Sequence, residues 1–283
     1  MPPSNVDGME AMEPQPALFA KTDDRWIPAS YPREELLAGL IAGGMAGIVS
    51  HPMDNVLWKI GLLCEGEPDS QFGLKGVDGL PRGEVLRLVA EASGFAPDPL
   101  VRWGPVRVDP APVLRECEAA GDRLAQACRR GERVLFATGH PTGLIQLYAE
   151  VGRQLAARGV ELLRPRDGYS WEESEGRHRH NEIRYIEGVA VFTDRASARH
   201  THSPTSMQLM LEKATPDLVF ADHGFAGAAV ESGVDTLSIA DVNDPALIVA
   251  KAQGRTRTVI VMDDNVRHEA YWPCFQAMMS RLD

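Results

Sequence analysis

The chain has 283 residues, 44% of them hydrophobic and 24% charged, an ordinary globular composition with enough apolar material for a large core. Its 29 Lys plus Arg against 40 Asp plus Glu leave a formal net charge of −11, a surface that repels phosphate backbones and argues against wholesale nucleic-acid binding. The longest apolar stretch, Leu36 to Val49, is too short for a membrane span, is diluted by Gly39, Gly43, Gly44 and Gly47, and follows no basic leader, so a soluble, unexported protein of the cytoplasm is expected.

Residues 1–31, with Pro2, Pro3, Pro14, Pro16 and Pro28 among polar and acidic neighbours, show no periodic apolar face and are expected to form a mobile tail. Residues 32–130 read as a helical region. Apolar positions recur at three- and four-residue spacing over Arg33–Val49, Pro52–Cys64, Arg82–Ala92 and Pro112–Arg130. Cys64, Cys117, Cys128 and Cys274 form no CxxC pair, which suits reduced thiols better than disulfides or a cysteine-held zinc. Cys117 and Cys128 fall within a helical pattern and read as core or surface thiols.

After Gly131 the period changes, and residues 131–283 read as an α/β region with a mainly parallel sheet flanked by helices. Strands are expected at Arg133–Thr138, Val160–Arg164, Asp217–Asp222, Asp235–Asp241 and Thr258–Asp263. Helices are expected near Thr142–Arg158, Phe225–Ser232, Pro245–Gln253 and His268–Ser280. Ile183–Tyr185 and Val189–Phe192 suggest a hairpin or two short strands.

An open parallel sheet binds ligands at the carboxyl ends of its strands. Three of the expected strands end in Asp222-His223, Asp241-Val242-Asn243-Asp244 and Asp263-Asp264-Asn265. Oxygen ligands converging from several loops suit Mg²⁺ or Mn²⁺; the same residues also suit helix N-caps, with Asp244-Pro245 a good example. The loop Thr138-Gly139-His140-Pro141-Thr142-Gly143 offers two glycines, hydroxyls and a helix start to a phosphate, but lacks the lysine of a Walker loop. In His200-Thr201-His202 alternation points both imidazoles the same way, as metal ligands, acid/base groups or phosphate donors, with Arg195 and Arg199 beside them. Arg177-His178-Arg179-His180 reads as a solvated loop. Ser50-His51-Pro52-Met53-Asp54-Asn55 interrupts an apolar stretch, and this polar break either caps the next helix or hangs over the carboxyl edge of the sheet and completes the site. Nucleophile-elbow, HExxH, EF-hand and dinucleotide motifs do not occur.

On these residues the chain resembles a bacterial, actinobacterial-type family whose members carry the description phosphatase. The resemblance runs from about Leu36 onward and is strongest in FATGHPTGL (136–144), HTHSP (200–204), ADHGFAGAA (221–229), IADVNDPAL (239–247) and VMDDNV (261–266). More distantly it is similar to the metal-dependent damage-control phosphatases, which join a helical part to an α/β part and hold a divalent ion with Asp and Asn at strand ends. Here Asp222 is followed by His223 where that pattern has Asn.

The resemblance and the strand-end chemistry together imply a phosphomonoesterase acting on a small phosphorylated metabolite, with a homo-oligomer compatible. In that expectation Asp222, Asp241, Asn243, Asp244 and Asp263 or Asp264 hold Mg²⁺ or Mn²⁺; Thr138, Gly139, His140, Thr142, Gly143 and Arg199 receive the phosphate; and His200, His202 or His223 transfers the proton. Asp222 also stands as a catalytic candidate, with an aspartyl-phosphate, a phosphohistidine and direct water attack all open. A non-hydrolytic phosphometabolite binder and a sugar-phosphate isomerase or lyase are the competing expectations.

Overall fold

In the computed structural model, which describes residues 26–98, 100–172 and 180–282, helix α1 (Arg33–Ala42) stops well short of Val49. Gly44 and Gly47 adopt φ values of +84° and +78°, which no right-handed helix contains, and the chain turns into strand β1 (Gly47–Pro52) instead. After α2 (Met53–Cys64), α3 (Pro68–Gln71) and α4 (Arg82–Ser93), strand β2 (Pro105–Val108) pairs antiparallel with β1. The long helix α5 (Pro110–Arg130) is capped by Asp109, whose carboxylate accepts from Ala111 N at 2.9 Å, and ends at Gly131 with φ +59°.

Of the expected tail, residues 1–25 lie outside the described residues. Residues 26–31 are docked: Trp26 packs on Phe275 and Tyr31 on Trp272, with ring centroids 5.4 and 5.1 Å apart.

The α/β part contains β3 (Arg133–Thr138), α6 (Pro141–Ala157), β4 (Glu161–Leu162), β5 (Ser170–Glu172), β6 (His180–Ile186), β7 (Val189–Asp194), β8 (Ser197–Ala198), α7 (Thr205–Leu211), β9 (Leu218–Asp222), α8 (His223–Glu231), β10 (Thr236–Asp241), α9 (Ala246–Ala252), β11 (Thr258–Met262), a 3-10 turn (His268–Tyr271) and α10 (Trp272–Met279). Strand order is β11-β10-β9-β3-β7-β6-β5, with β4 beside β3 and β8 on β7. From β11 to β7 the neighbours run parallel; β6 is antiparallel to both β7 and β5, the expected hairpin. Every residue of β9, β10 and β11 is buried, as central strands covered on both faces require. One hydrophobic cluster runs from Leu36 to Met279, so the helical region packs on the sheet and shares its core. No helix among the described residues is long and apolar enough to cross a membrane.

From β3 the chain passes to β7 on one side and returns through α7 to β9 on the other. The carboxyl ends of β3 and β9 therefore flank a switch point, where loops part and leave a crevice. Register places Asp222 opposite Ile239 and Asp241 opposite Met262, so Asp222, Asp241 and Asp263 step along this one edge.

Helix α8 approaches the neighbouring loops backbone to backbone. A Cβ on Gly224 would lie 2.1 Å from the His202 carbonyl oxygen, and one on Gly227 2.0 Å from that of Phe72. Alanine usually gains about 1 kcal/mol over glycine inside a helix, but backbone oxygens cannot step aside as a flexible side chain can. Gly227→Ala is therefore expected to destabilise the protein by about 1–3 kcal/mol or more; thermal denaturation checks this, and an unchanged or raised melting temperature would contradict it.

Candidate active site

Five carboxylates at the strand ends are buried, with Asp222, Asp241, Asp244, Asp263 and Asp264 between 0% and 6% exposed. Burial of that much negative charge is costly unless each group is paired, and the partners sort the five by role. Asp222 Oδ1 accepts from Gly139 N at 2.8 Å and lies 2.7 Å from His223 Nδ1, so this carboxylate stands behind an imidazole and orients it. Asp263 ties the rim together: Oδ2 accepts from Ser50 N at 2.6 Å and Oδ1 from Asn265 N at 3.0 Å. Asp241 Oδ2 lies 3.1 Å from His51 Nε2. Asp244 lies between Lys59 Nζ at 3.4 Å and His223 Nε2 at 3.5 Å. Asp264 Oδ1 lies 3.2 Å from His140 Nδ1, while its buried Oδ2 accepts no hydrogen bond among the described residues.

Asp222 and Asp244 do not cap the helices that follow them. Asp222 precedes α8 without a side-chain cap bond, and α9 begins after Pro245 while Asp244 turns to Lys59 and His223.

Asp241, Asp244 and Asp264 line a cavity of about 280 Å³ together with His51, His140, His200, His202 and His223, five of the chain's eight histidines. Lys59, Asn243 and Asn265 complete a wall with no apolar residue in it. His200 and His202 present their rings to the same space, as their alternation predicts, with centroids 5.0 Å apart and 4.8 and 5.1 Å from His223. Thr201 between them is buried, its N–H donating to the Gly139 carbonyl at 2.9 Å. His223 adopts φ +47°, a conformation uncommon for a side-chain-bearing residue and typical of strain held at functional positions. Phe72 backs His202 and His223 at 5.0 and 5.4 Å.

The electrostatics split the imidazoles into two kinds. Burial and the neighbouring histidines lower His200 to about 4, and burial with His223 lowers His202, so both favour the neutral form with a free lone pair. The hydrogen bond to Asp241 raises His51 to about 9. Burial alone would lower His223 and His140, but the bond from Asp222 with the charges of Asp264 and Asp244 carries His223 up to about 10, and Asp264 raises His140. Burial, with the like charge of Asp264, lifts Asp241 to about 7 against the pull of His51.

Of the residues expected to cradle phosphate, only His140 lines the cavity. A Cβ on Gly139 would meet the Thr201 carbonyl at 2.4 Å and one on Gly143 that of Asp264 at 2.8 Å, so these glycines permit close packing within the protein. Thr138 Oγ1 is occupied by His140 N at 2.9 Å, Thr142 is exposed, and Arg199 turns to Asp194 at 3.8 Å and lies over Phe192. Within the 50–55 cluster it is His51 and Asn55, not Asp54, that reach the site: Asn243 Nδ2 donates to Asn55 Oδ1 at 2.8 Å and lies 3.1 Å from His51 Nδ1. Residues 177–179 of the charged loop lie outside the described residues. Lys59 is the residue sequence reasoning missed as a site group; it stands four positions after Asn55 in α2, the one pattern that could have placed it on the same face.

Among the described residues, two sets of donor atoms are close enough to share an ion. Those of His51, Asp241 and Asp263 lie within 4.8 Å of one another, as do those of His200, His202 and His223.

A family model described as Phosphatase matches residues 31–283. The chain is also 34% identical over 253 residues, 87% of its own length and 94% of the relative's, to a Streptomyces coelicolor protein named Phosphatase SCO2771.

Proposed function

The chain belongs to the Phosphatase family, and from that premise we propose that it hydrolyses a small phosphorylated substrate at the carboxyl edge of the sheet with the help of a divalent cation. The observation that supports this most directly is the composition of the cavity wall, polar throughout and built from carboxylates, imidazoles and one lysine. Such a wall suits a phosphoryl group and its counter-ion, and gives an apolar ligand nothing to bury against. His51, Asp241 and Asp263 are the residues that would hold the ion, and a mixed set of one nitrogen and two carboxylates suits Mn²⁺ better than Mg²⁺. When bound, such an ion supplies positive charge to phosphoryl oxygens and acidifies water.

The remaining roles fall to the chain's own side chains. Lys59, held 3.4 Å from Asp244 on the cavity wall, supplies a fixed positive charge for the phosphate. Against the effect of burial, Asp264 raises the pKa of His140 and occupies Nδ1, which leaves Nε2 to donate a proton to the departing alkoxide. Asn243 fixes the orientation of His51. His200 and His202, held in the neutral form, do not suit the acid role.

A panel of sugar and nucleotide monophosphates incubated with purified protein tests this. Phosphate release that disappears on chelation and returns with Mn²⁺ is expected; full turnover in the presence of chelator would overturn the cation's role, and tight binding of a panel member without release would overturn the hydrolysis. Lys59→Met is expected to raise KM by about tenfold or more, on the scale of a hydrogen bond to a charged group. Steady-state kinetics on whichever panel member is cleaved gives that number, and an unchanged KM would remove Lys59 from the phosphate's surroundings.

A further inference from the structure

The ring nitrogens of His200, His202 and His223 lie within 4.8 Å of one another in a group that shares no residue with His51, Asp241 and Asp263. We propose that these three imidazoles form a separate cation site, selective for a transition ion such as Zn²⁺ over Mg²⁺. The site goes beyond the hydrolytic reading and exists or fails independently of it.

Three imidazoles are a donor set for zinc and other first-row transition ions, whereas Mg²⁺ demands oxygen. Histidines that hold a metal through one ring nitrogen nearly always hand the other to a carboxylate or a carbonyl, which fixes the ring and raises its basicity. Two of the three rings show that arrangement. His223 Nδ1 is 2.7 Å from Asp222 Oδ1, itself fixed by Gly139 N. His202 Nδ1 is 3.1 Å from the Asp69 carbonyl oxygen and 3.3 Å from its carboxylate. Nε2 is therefore the nitrogen that both rings turn to a ligand, and in His223 a bound cation would take the place of the proton that faces Asp244 and Asp264.

A second and independent observation lies on the other side of His223. Its Nε2 faces Asp264 Oδ2 at 3.9 Å and Asp244 Oδ2 at 3.5 Å, and Asp264 Oδ2 is buried without accepting any hydrogen bond among the described residues. A buried carboxylate oxygen with no donor wants a cation. Aimed at the same ring, it offers a fourth ligand. Phe72 closes the site behind His202 and His223, while His200 is exposed and leaves one side open to solvent, the arrangement of a site that keeps an open position.

The test uses the full-length protein stripped of metal and titrated with Zn²⁺ by calorimetry and with Co²⁺ by visible absorption. His200→Ala/His202→Ala changes two rings at the solvent edge and spares the Asp222–His223 pair; far-ultraviolet circular dichroism confirms that it folds. Wild type is expected to show one tight equivalent of Zn²⁺ beyond any taken up at His51, Asp241 and Asp263, and to develop the Co²⁺ absorption of a nitrogen-rich site. Both features should persist in Asp241→Asn and in the presence of excess Mg²⁺, and the double variant should bind at least ~100-fold more weakly. Unchanged Zn²⁺ affinity in the double variant would overturn the site, as would a single Zn²⁺ phase that vanishes in Asp241→Asn. Because neither readout involves turnover, a protein that binds Zn²⁺ through the histidines yet releases no phosphate keeps this inference and loses the hydrolytic reading.

Discussion

Asp241→Asn is expected to lower phosphate release by more than about 100-fold while leaving the protein folded. Loss of a group that merely orients a metal ligand costs about 10–100-fold, and Asp241 is proposed as a ligand itself. Asparagine keeps the shape of the side chain at the end of β10 and removes only its charge. The packing of a fully buried strand is thus preserved, and the 3.1 Å contact to His51 loses its ionic character. Burial and the charge of Asp264 already work against the ionised form of Asp241, so the side chain is there for something other than stability, a trade common at active sites. Parallel assays of phosphate release, bound manganese and melting temperature check this. Loss of activity and manganese with little change in melting temperature is the expected pattern; wild-type activity would remove Asp241 from the site.

His223→Ala is expected to act on stability as strongly as on activity. His223 is buried among Asp222, Asp244 and Asp264 and is held protonated by them. Removing one partner of a buried pair leaves uncompensated charge and costs about 3–5 kcal/mol, which for a chain of this size lowers the melting temperature by roughly 6–12 °C. The sign with pH follows from the raised pKa. The contribution of His223 is fully present below its unfolded value of 6.5 and is lost as pH rises toward about 10. The gap between metal-free wild type and variant should therefore be widest near pH 6 and narrow toward pH 10. His223→Asn, which tolerates the left-handed backbone at φ +47°, should recover part of the strain but none of the charge compensation. Calorimetric melting of the metal-free proteins across this range checks both statements; a gap that widened with pH would contradict them.

Much of this architecture was legible because local pattern and burial agree. The runs Leu218–Asp222, Thr236–Asp241 and Thr258–Met262 are short, apolar and bounded by acids, which is what central parallel strands look like when both faces are covered. The alternation in His200-Thr201-His202 placed two imidazoles on one side, and the structure has them there. The illegible parts depend on tertiary contact. His51 and Lys59 meet Asp241 and Asp244 across nearly the whole chain, and no local period announces a meeting of that kind. Gly139 and Gly143 look like a phosphate loop because glycine marks any close backbone approach, whether to a ligand or, as here, to Thr201 and Asp264. Acids at strand ends are equally ambiguous: Asp263 and Asp264 are adjacent in sequence, yet one accepts from the amides of Ser50 and Asn265 and stands beside His51 and Asp241, while the other lines the cavity and meets His140. The apolar spacing of Leu36–Val49 concealed a helix end because left-handed glycines interrupt the backbone without changing hydropathy.

The proposed binding of a cation by carboxylates and imidazoles at the carboxyl edge of β9, β10 and β11 is tested most directly by anomalous diffraction from crystals of the full-length protein grown with Mn²⁺ and a phosphate analogue. A manganese peak is expected at about 2.0–2.3 Å from His51 and Asp241, with the analogue beside it. Anomalous density confined to the protein surface, with the analogue bound away from this cavity, would contradict it.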